Sequence, residues 1–275
     1  MNLLQCLLYG FVAAITEFLP ISSAAHQSLM YRFFGITSSD PLLEMIVSAA
    51  CVVCIFLSCR GFWERYKREQ HLSARNVRMR GKKIEFKTLL EMRFIKSAAF
   101  PMIIILLFIP AFKRFAFNLP VLSIIVLING LIVYIPERML QGNKDTRKMT
   151  RLDSLIVGLG GALSVFPGIS RTAGILSAST ARGTSRANTV NWILYLSVPA
   201  MAVIFIINIF TLIAGNFTLA AGFLGYIFCT IGACLGGLLG IVSIRFLSAR
   251  TGFSGFAYYC WGFALFSFII YLTVV

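Results

Sequence analysis

Six mainly apolar runs, near residues 42–59, 92–112, 119–136, 188–213, 220–243 and 254–275, govern what this chain can fold into. Each approaches the roughly 20 residues that an α-helix needs to cross about 30 Å of hydrocarbon. In lipid every backbone polar group must find its partner within the protein, so runs of this kind fold as spanning helices. The 275 residues are 58% hydrophobic and only 13% charged, with a mean hydropathy of +0.84, too apolar for a soluble domain. Two further apolar stretches, 3–33 and 152–181, are broken in the middle by Pro, Gly, Ser and a charge. Irregular backbone at membrane depth is tolerated only where protein covers it or a wet cavity adjoins it. Each broken stretch therefore reads as two short helices that enter and leave on the same side, and the breaks mark a cavity. The expectation is an all-α polytopic membrane protein, one membrane domain over 1–275, with six spanning helices plus two re-entrant helix pairs.

A formal net charge of +15 would suit a nucleic-acid binder, but the charges are in the wrong places for one. Twelve Lys and Arg fall between Arg60 and Lys96 and five between Arg138 and Arg151, with Arg182, Arg186, Arg245 and Arg250 in two further connections. Only Arg32, Lys113 and Arg114 occupy the opposite set of loops. This is the positive-inside asymmetry, which assigns the basic loops to the cytoplasm and leaves nucleic acid out of the reading. Counting crossings, the first broken stretch dips in from outside and the second from inside. Each is followed by three spans, so 1–112 and 119–275 have the order of an inverted-topology repeat. The stretch 60–91 reads as a short amphipathic or disordered basic cytoplasmic loop. With no Lys or Arg before Arg32 there is no basic leader region, so the first apolar stretch is expected to remain in the mature protein. The seven cysteines lie almost entirely inside apolar runs, where they behave as small hydrophobes; Cys51-Val-Val-Cys54 lacks the second pair or neighbouring His of a metal site.

The breaks hold the residues with chemistry. The first, Thr16-Glu17-Phe18-Leu19-Pro20-Ile21-Ser22-Ser23, carries the sole acidic residue before Asp40, followed by His26. An ionised carboxylate in hydrocarbon is expensive without a cation or a hydrogen-bonded cavity, and an imidazole there can move a proton near neutral pH. The bland alternatives are a headgroup-level carboxylate and a core histidine. The second break, Pro167-Gly168-Ile169-Ser170-Arg171-Thr172, offers a Gly-relieved turn, two hydroxyls and a fork-shaped cation ahead of an apolar run. Free N–H groups at a helix start and a bidentate Arg both favour an anion, most naturally a phosphate. The bland alternative is a helix break whose Arg171 snorkels to the surface.

Together the two motifs resemble those of the bacterial undecaprenyl-diphosphate phosphatase, or bacitracin-resistance protein, family. Val198-Pro199 after Trp192, Ser243-Ile244-Arg245-Phe246-Leu247 and Gly252 to Tyr259 extend the likeness over nearly the whole chain. The resemblance implies interlocked inverted repeats and hydrolysis of a polyprenyl diphosphate to the monophosphate, recycling the lipid carrier for cell-wall synthesis. It further implies a divalent cation (Mg²⁺ or Ca²⁺) and a bacterial plasma membrane with the active site opening to the outer face. A homodimer is left open. By motif, Glu17 would assist through the metal or as a base, Ser23 would act near the scissile phosphate, and His26 would be the acid/base. Ser170 and Arg171 would clamp the diphosphate, with Ser22, Gly168 and Thr172 beside them. The chain departs from the family where Ala13 replaces a Glu or Gln one turn before Glu17. It departs again at Ala24, Ser48, Gly161 and Asn191, and in Thr172-Ala173-Gly174-Ile175, which loses a hydroxyl. Those departures keep a second reading open, a polyprenyl-phosphate flippase or transporter that has lost part of the catalytic set.

Overall fold

The computed structural model describes residues 1–81, 84–139, 142–215, 217–250 and 252–274. Lys82 and Lys83 of the basic loop lie outside the described residues, as do 140–141, 216, 251 and 275 at or near ends of the expected segments. The described residues are mostly helical, joined by short irregular connections, with one isolated bridge between Lys144 and Thr184. Its helices are α1 (Leu3–Phe18), α2 (Ser23–Phe33), α3 (Pro41–Ser58), α4 (Arg60–Arg80), α5 (Lys87–Leu106), α6 (Ile109–Phe112), α7 (Leu119–Arg138), α8 (Arg151–Ala162), α9 (Arg171–Ala181), α10 (Arg186–Ile213), α11 (Phe223–Arg250) and α12 (Ser254–Val274).

Five of the six expected spans, α3, α7, α10, α11 and α12, are single helices long and apolar enough to cross a membrane. The sixth is bent. α5 ends at Leu106, and after a 46° turn α6 and the 3-10 turn Lys113–Phe117 continue it. Pro110, which has no N–H to give the carbonyl ladder, sits at the bend, whereas Pro101 is accommodated inside α5. The basic stretch 60–91 folds mainly as the 21-residue helix α4, which stops at Gly81 in the left-handed conformation (φ 65°). Phe62 at its start is buried and stacks on Tyr195 of α10 at 4.0 Å, while most of its basic residues are exposed.

The two broken stretches become the helix pairs α1–α2 and α8–α9. With 16, 11, 12 and 11 residues these helices are about 24, 17, 18 and 17 Å long at 1.5 Å per residue. Each falls short of a 30 Å hydrocarbon layer. Local chemistry fixes their ends. Asn2 and Gln5 form a capping box on α1 and Thr150 and Asp153 one on α8, satisfying first-turn N–H groups that lipid could not. Asp40 caps α3, accepting from Leu42 and Leu43, with Pro41 at its first position.

Helices in lipid gain little by hiding apolar surface from one another, so association rests on close backbone approach. α1 lies along α11 on this principle. A Cβ at Gly10 would fall on the Cys229 carbonyl, and one at Gly232 or Gly236 on the carbonyl of Leu7 or Phe11. α8 lies against α5, α7 against α12, and α3 against α10. Large side chains such as Leu4, Phe100, Phe210, Phe223 and Leu272 face outward, as they do in a multi-pass membrane protein.

The α1–α11 contact makes a direct prediction. Gly232→Leu should force the two backbones apart and cost about 1–3 kcal/mol, as overpacking does elsewhere. Thermal unfolding in detergent should show a lower midpoint than the unaltered protein; an unchanged midpoint would mean that close approach at Gly232 does not support the fold.

Candidate functional site

The two breaks meet in the interior. After α1 the chain turns through Leu19–Ser22, where Ser22 takes φ 64°, ψ 99°, the one left-handed non-glycine residue described. A serine in that region costs on the order of 1–3 kcal/mol and needs its surroundings to hold it. The Ser22 side chain caps α2, accepting from Ala25, and its carbonyl accepts from His26 Nδ1 at 2.8 Å. In the second break Gly168 has φ 109°, and a Cβ there would strike Ile125, so glycine is required on both counts. Ser170 then caps α9, accepting from Ala173.

Asn129 of α7, fully buried, ties the breaks together. Its Nδ2 donates to the Pro20 carbonyl at 3.0 Å and its Oδ1 accepts from the Ser170 N–H at 2.8 Å. Ser170 Oγ donates to the Leu19 carbonyl (3.1 Å) and Thr172 Oγ1 to that of Glu17 (3.3 Å). Arg171 Nη2 reaches Glu17 Oε1 at 2.5 Å, across 154 residues of sequence. The Arg171 side chain is 4% exposed and that of Glu17 16%. The guanidinium therefore does not snorkel; it is neutralised at depth by the one carboxylate of the first break. Its Nε is buried without a partner, a donor that a ligand oxygen would satisfy.

Arg171 and Glu17 line a cleft with Ser23 and Gln27 of α2, Glu44 of α3 and Lys113 of the turn after α6. Ser170 lines it too; Ser22, Gly168 and Thr172 shape the breaks without lining it. Glu44 holds Lys113 with both oxygens, at 3.0 and 3.1 Å. Ser23 Oγ donates to the Ala13 carbonyl at 2.9 Å and accepts from Gln27 Nε2 at 2.8 Å. Gln27 Oε1 accepts from Tyr9 (2.9 Å), whose hydroxyl is 2.8 Å from that of Tyr31, and Tyr31 in turn accepts from the Asp40 N–H. Since Tyr9 donates to Gln27, Tyr31 donates to Tyr9, and this directed chain turns the Gln27 amide N–H toward Ser23.

His26, read from the sequence as the acid/base beside the phosphate, is placed elsewhere. Its ring lies against α12, 4.4 Å from Phe263 and parallel to Tyr259, with Nε2 2.7 Å from the Tyr259 hydroxyl. With Nδ1–H donated to the Ser22 carbonyl, Nε2 is the acceptor and Tyr259 the donor. Ser23, Ala24, Gln27, Ser28 and Tyr31 form the cleft face of α2. At about 100° per residue His26 points roughly 130° from the centre of that stripe.

Among the described residues no three His, Cys, Asp or Glu side chains converge to hold an ion. The cleft's candidate ligand atoms are mainly carboxylate, hydroxyl and amide oxygens, with neither thiol nor imidazole among the residues lining it. That set suits a hard cation taken largely by substrate phosphates and one or two carboxylates, as Mg²⁺ commonly is.

Sequence reasoning missed Asn129, Gln27, Glu44 and Lys113. A signal existed for three of them: Asn129 is the one amide inside the run 119–136, Gln27 is four residues from Ser23 on a helix, and Glu44 opens an apolar run. Nothing local marks Lys113 as more than a loop charge.

Comparison with known proteins gives a family and several relatives. The family model described as "Bacitracin resistance protein BacA" matches residues 6–266. "Undecaprenyl-diphosphatase 1" of Shouchella clausii (strain KSM-K16) is 28% identical, over 98% of this chain and 96% of its own. "Undecaprenyl-diphosphatase 2" of Halalkalibacterium halodurans is 28% identical over 98% and 97%. "Undecaprenyl-diphosphatase" of Prochlorococcus marinus (strain MIT 9312) is 29% identical over 72% and 73%.

Asn129→Leu should strand the Ser170 N–H, at about 1–3 kcal/mol, and leave the Pro20 carbonyl with only the weak Cys260 thiol as donor. Denaturation in detergent should show that loss, and amide exchange at Ser170 should rise with it. An exchange rate unchanged from the parent would remove Asn129 as the brace between the breaks.

Proposed function

The chain belongs to the bacitracin resistance protein BacA family, and on that premise we propose that it is an integral membrane phosphatase converting undecaprenyl diphosphate, or a similar polyprenyl diphosphate, to the monophosphate and inorganic phosphate. The observation that carries this reading is the Arg171–Glu17 pair, a buried cation and carboxylate from opposite halves of the chain at the start of α9.

In this reading the terminal phosphate replaces Glu17 as the partner of Arg171. The unpartnered Nε gains an acceptor, and the N-terminal end of α9, where Ser170 already caps the Ala173 N–H, favours the same negative charge. Glu17, released, takes the proton from a water whose oxygen bonds to the terminal phosphorus as the bridging P–O bond breaks. Ser23 lines the cleft with its proton given to the Ala13 carbonyl and its oxygen accepting from Gln27, so no base stands ready to make it a nucleophile, and it meets a phosphate oxygen only by turning its O–H away from Ala13. A divalent cation, Mg²⁺ or Ca²⁺, would be held by Glu17 and the substrate's phosphates and would offset their charge. His26 acts through the turn, fixing the Ser22 carbonyl.

The short pairs α1–α2 and α8–α9 are proposed to re-enter rather than cross, within an inverted repeat. Matching α1–α2–α3–α5–α7 to α8–α9–α10–α11–α12 turns the α1–α11 contact into α8–α5 and maps α3–α10 and α7–α12 onto themselves. That packing supports a division after α7 rather than between 112 and 119. Ser39 and Lys113, from the sparsely charged loops, line the cleft, which supports a site opening to the outer face of a bacterial plasma membrane.

The test is phosphate release from a long-chain polyprenyl diphosphate by the purified protein in detergent, with and without Mg²⁺ or Ca²⁺. Release should be lost in Glu17→Ala, and Arg171→Ala should lower kcat/KM by about 10²–10³ while the protein stays folded. Folded protein that binds the lipid and releases no phosphate would overturn the phosphatase in favour of a carrier.

A further inference from the structure

The cleft has a second cation that the reading above leaves unused. Among the described residues lining it, Arg171 and Lys113 are the two positive charges, and each is capped by one glutamate. Arg171 lies deep, at 4% exposure; Lys113, at 31%, lies toward the mouth on the turn that follows the bend of the sixth span. Glu44 is tethered in the first turn of α3 and is itself only 16% exposed. A substrate with two linked phosphates meets two cations in one cleft, each already partly desolvated and each holding a partner that an incoming phosphate can replace.

We propose that Lys113 is the second phosphate contact of the cleft, held by Glu44 when no substrate is bound, and that it makes the site prefer a diphosphate to a monophosphate. The proposal rests on the phosphatase reading for the identity of its ligand. Arg171 suits the scissile phosphate, because its planar fork is fixed at depth and can hold two oxygens at a set angle. Lys113, a compact charge on a flexible stem, suits a phosphate that must be held without being aligned for attack. The exchange is economical, since the ammonium passes from one anionic oxygen set to another and is never left bare. A monophosphate seated on Arg171 cannot also displace Glu44, so the product loses the second contact as it forms.

The competing account is that the Lys113–Glu44 pair only fastens the outer turn to α3. The two accounts differ in sign at Glu44. If the pair is a fastening, Glu44→Gln and Lys113→Gln do the same harm; if Lys113 is a phosphate contact, removing Glu44 frees it.

The measurement is equilibrium binding of a polyprenyl diphosphate and of the monophosphate of equal chain length to the full protein in detergent, with Mg²⁺ fixed. The readout is the ratio of the two affinities. Lys113→Gln should lower that ratio about tenfold or more, the loss expected of one charge-assisted hydrogen bond. Lys113→Arg should hold it near the parent value, and Glu44→Gln should hold or raise it. A ratio unmoved by Lys113→Gln, or lowered equally by Glu44→Gln, would overturn the proposal. Should Lys113→Gln lose its fold, Glu44→Gln decides alone: a kept or raised ratio supports Lys113 and a fallen one refutes it. Wild-type protein that releases no phosphate yet shows the Lys113-dependent ratio would refute the phosphatase and leave this second contact standing.

Discussion

A guanidinium in the interior of a membrane protein has to be answered by a charge, and Glu17 answers Arg171 across 154 residues. Leaving either partner without the other would cost about 3–5 kcal/mol, more than most single contacts contribute. That requirement reaches far beyond the pair. Both breaks must arrive at the same depth, each must expose a helix end to the other, and neither can shift by a turn. Asn129, Ser170 and Thr172 hydrogen-bond across the junction to the Pro20, Leu19 and Glu17 backbone, which is how the register is held. A buried ion pair adds little net stability over well-packed apolar residues, so its presence here argues for use rather than for strength. The guanidinium keeps one buried N–H, at Nε, without an acceptor.

The small residues of the interfaces make that junction reachable. α1 carries Glu17 near its C-terminal end, so the depth of the carboxylate depends on where α1 sits along α11. Gly10, Gly232 and Gly236 let the two backbones touch, which leaves little freedom to slide. On the other side Gly158 of α8 abuts the Ala98 carbonyl of α5 in the same way, fixing the helix that leads into the second break. Close packing far from the cleft thus sets the separation of the two charged groups inside it.

Much of this was legible in the chain, for identifiable reasons. The spans follow from a length rule that tertiary contacts barely modify, and the breaks follow from Pro, Gly and charge where lipid forbids irregular backbone. Glu17, Ser170 and Arg171 were legible because their chemistry makes sense only inside such a break. His26 lies off the cleft because proximity in sequence does not fix direction. Ser23, Gln27 and Tyr31 share a face at helical spacing, and His26 falls off it onto Tyr259 and Phe263 of α12. The order of α4 was half legible: its charges suggest a solvated segment, whereas Phe62 stacked on Tyr195 anchors its start. The pairing of Glu44 with Lys113 was not legible, since it exists only once the bend after α5 brings residue 113 over the first turn of α3.

The face opposite the cleft separates a phosphatase from a lipid carrier on physical grounds. There the start of α8 meets the end of α9: Asp153, with no exposed side-chain surface, accepts from Arg182 Nε at 2.5 Å and from Lys144 at 3.4 Å, and also caps its own helix through the Thr150 N–H. Alongside, Arg186 at the start of α10 holds both oxygens of Glu137 at the end of α7, at 3.1 Å each. A carrier working by alternating access would have to part these helices in each cycle, and would expose a carboxylate that now has two cations and a backbone N–H for partners. A hydrolase needs access from one side only, because the lipid tail can remain in the bilayer while the headgroup enters and the phosphate leaves by the same mouth. The cleft is lined by partly exposed ion pairs, while the opposite face is closed by a buried carboxylate and by Arg186 Nη2 shared between both Glu137 oxygens, an asymmetry that suits one-sided chemistry and that two-sided transport would have to undo.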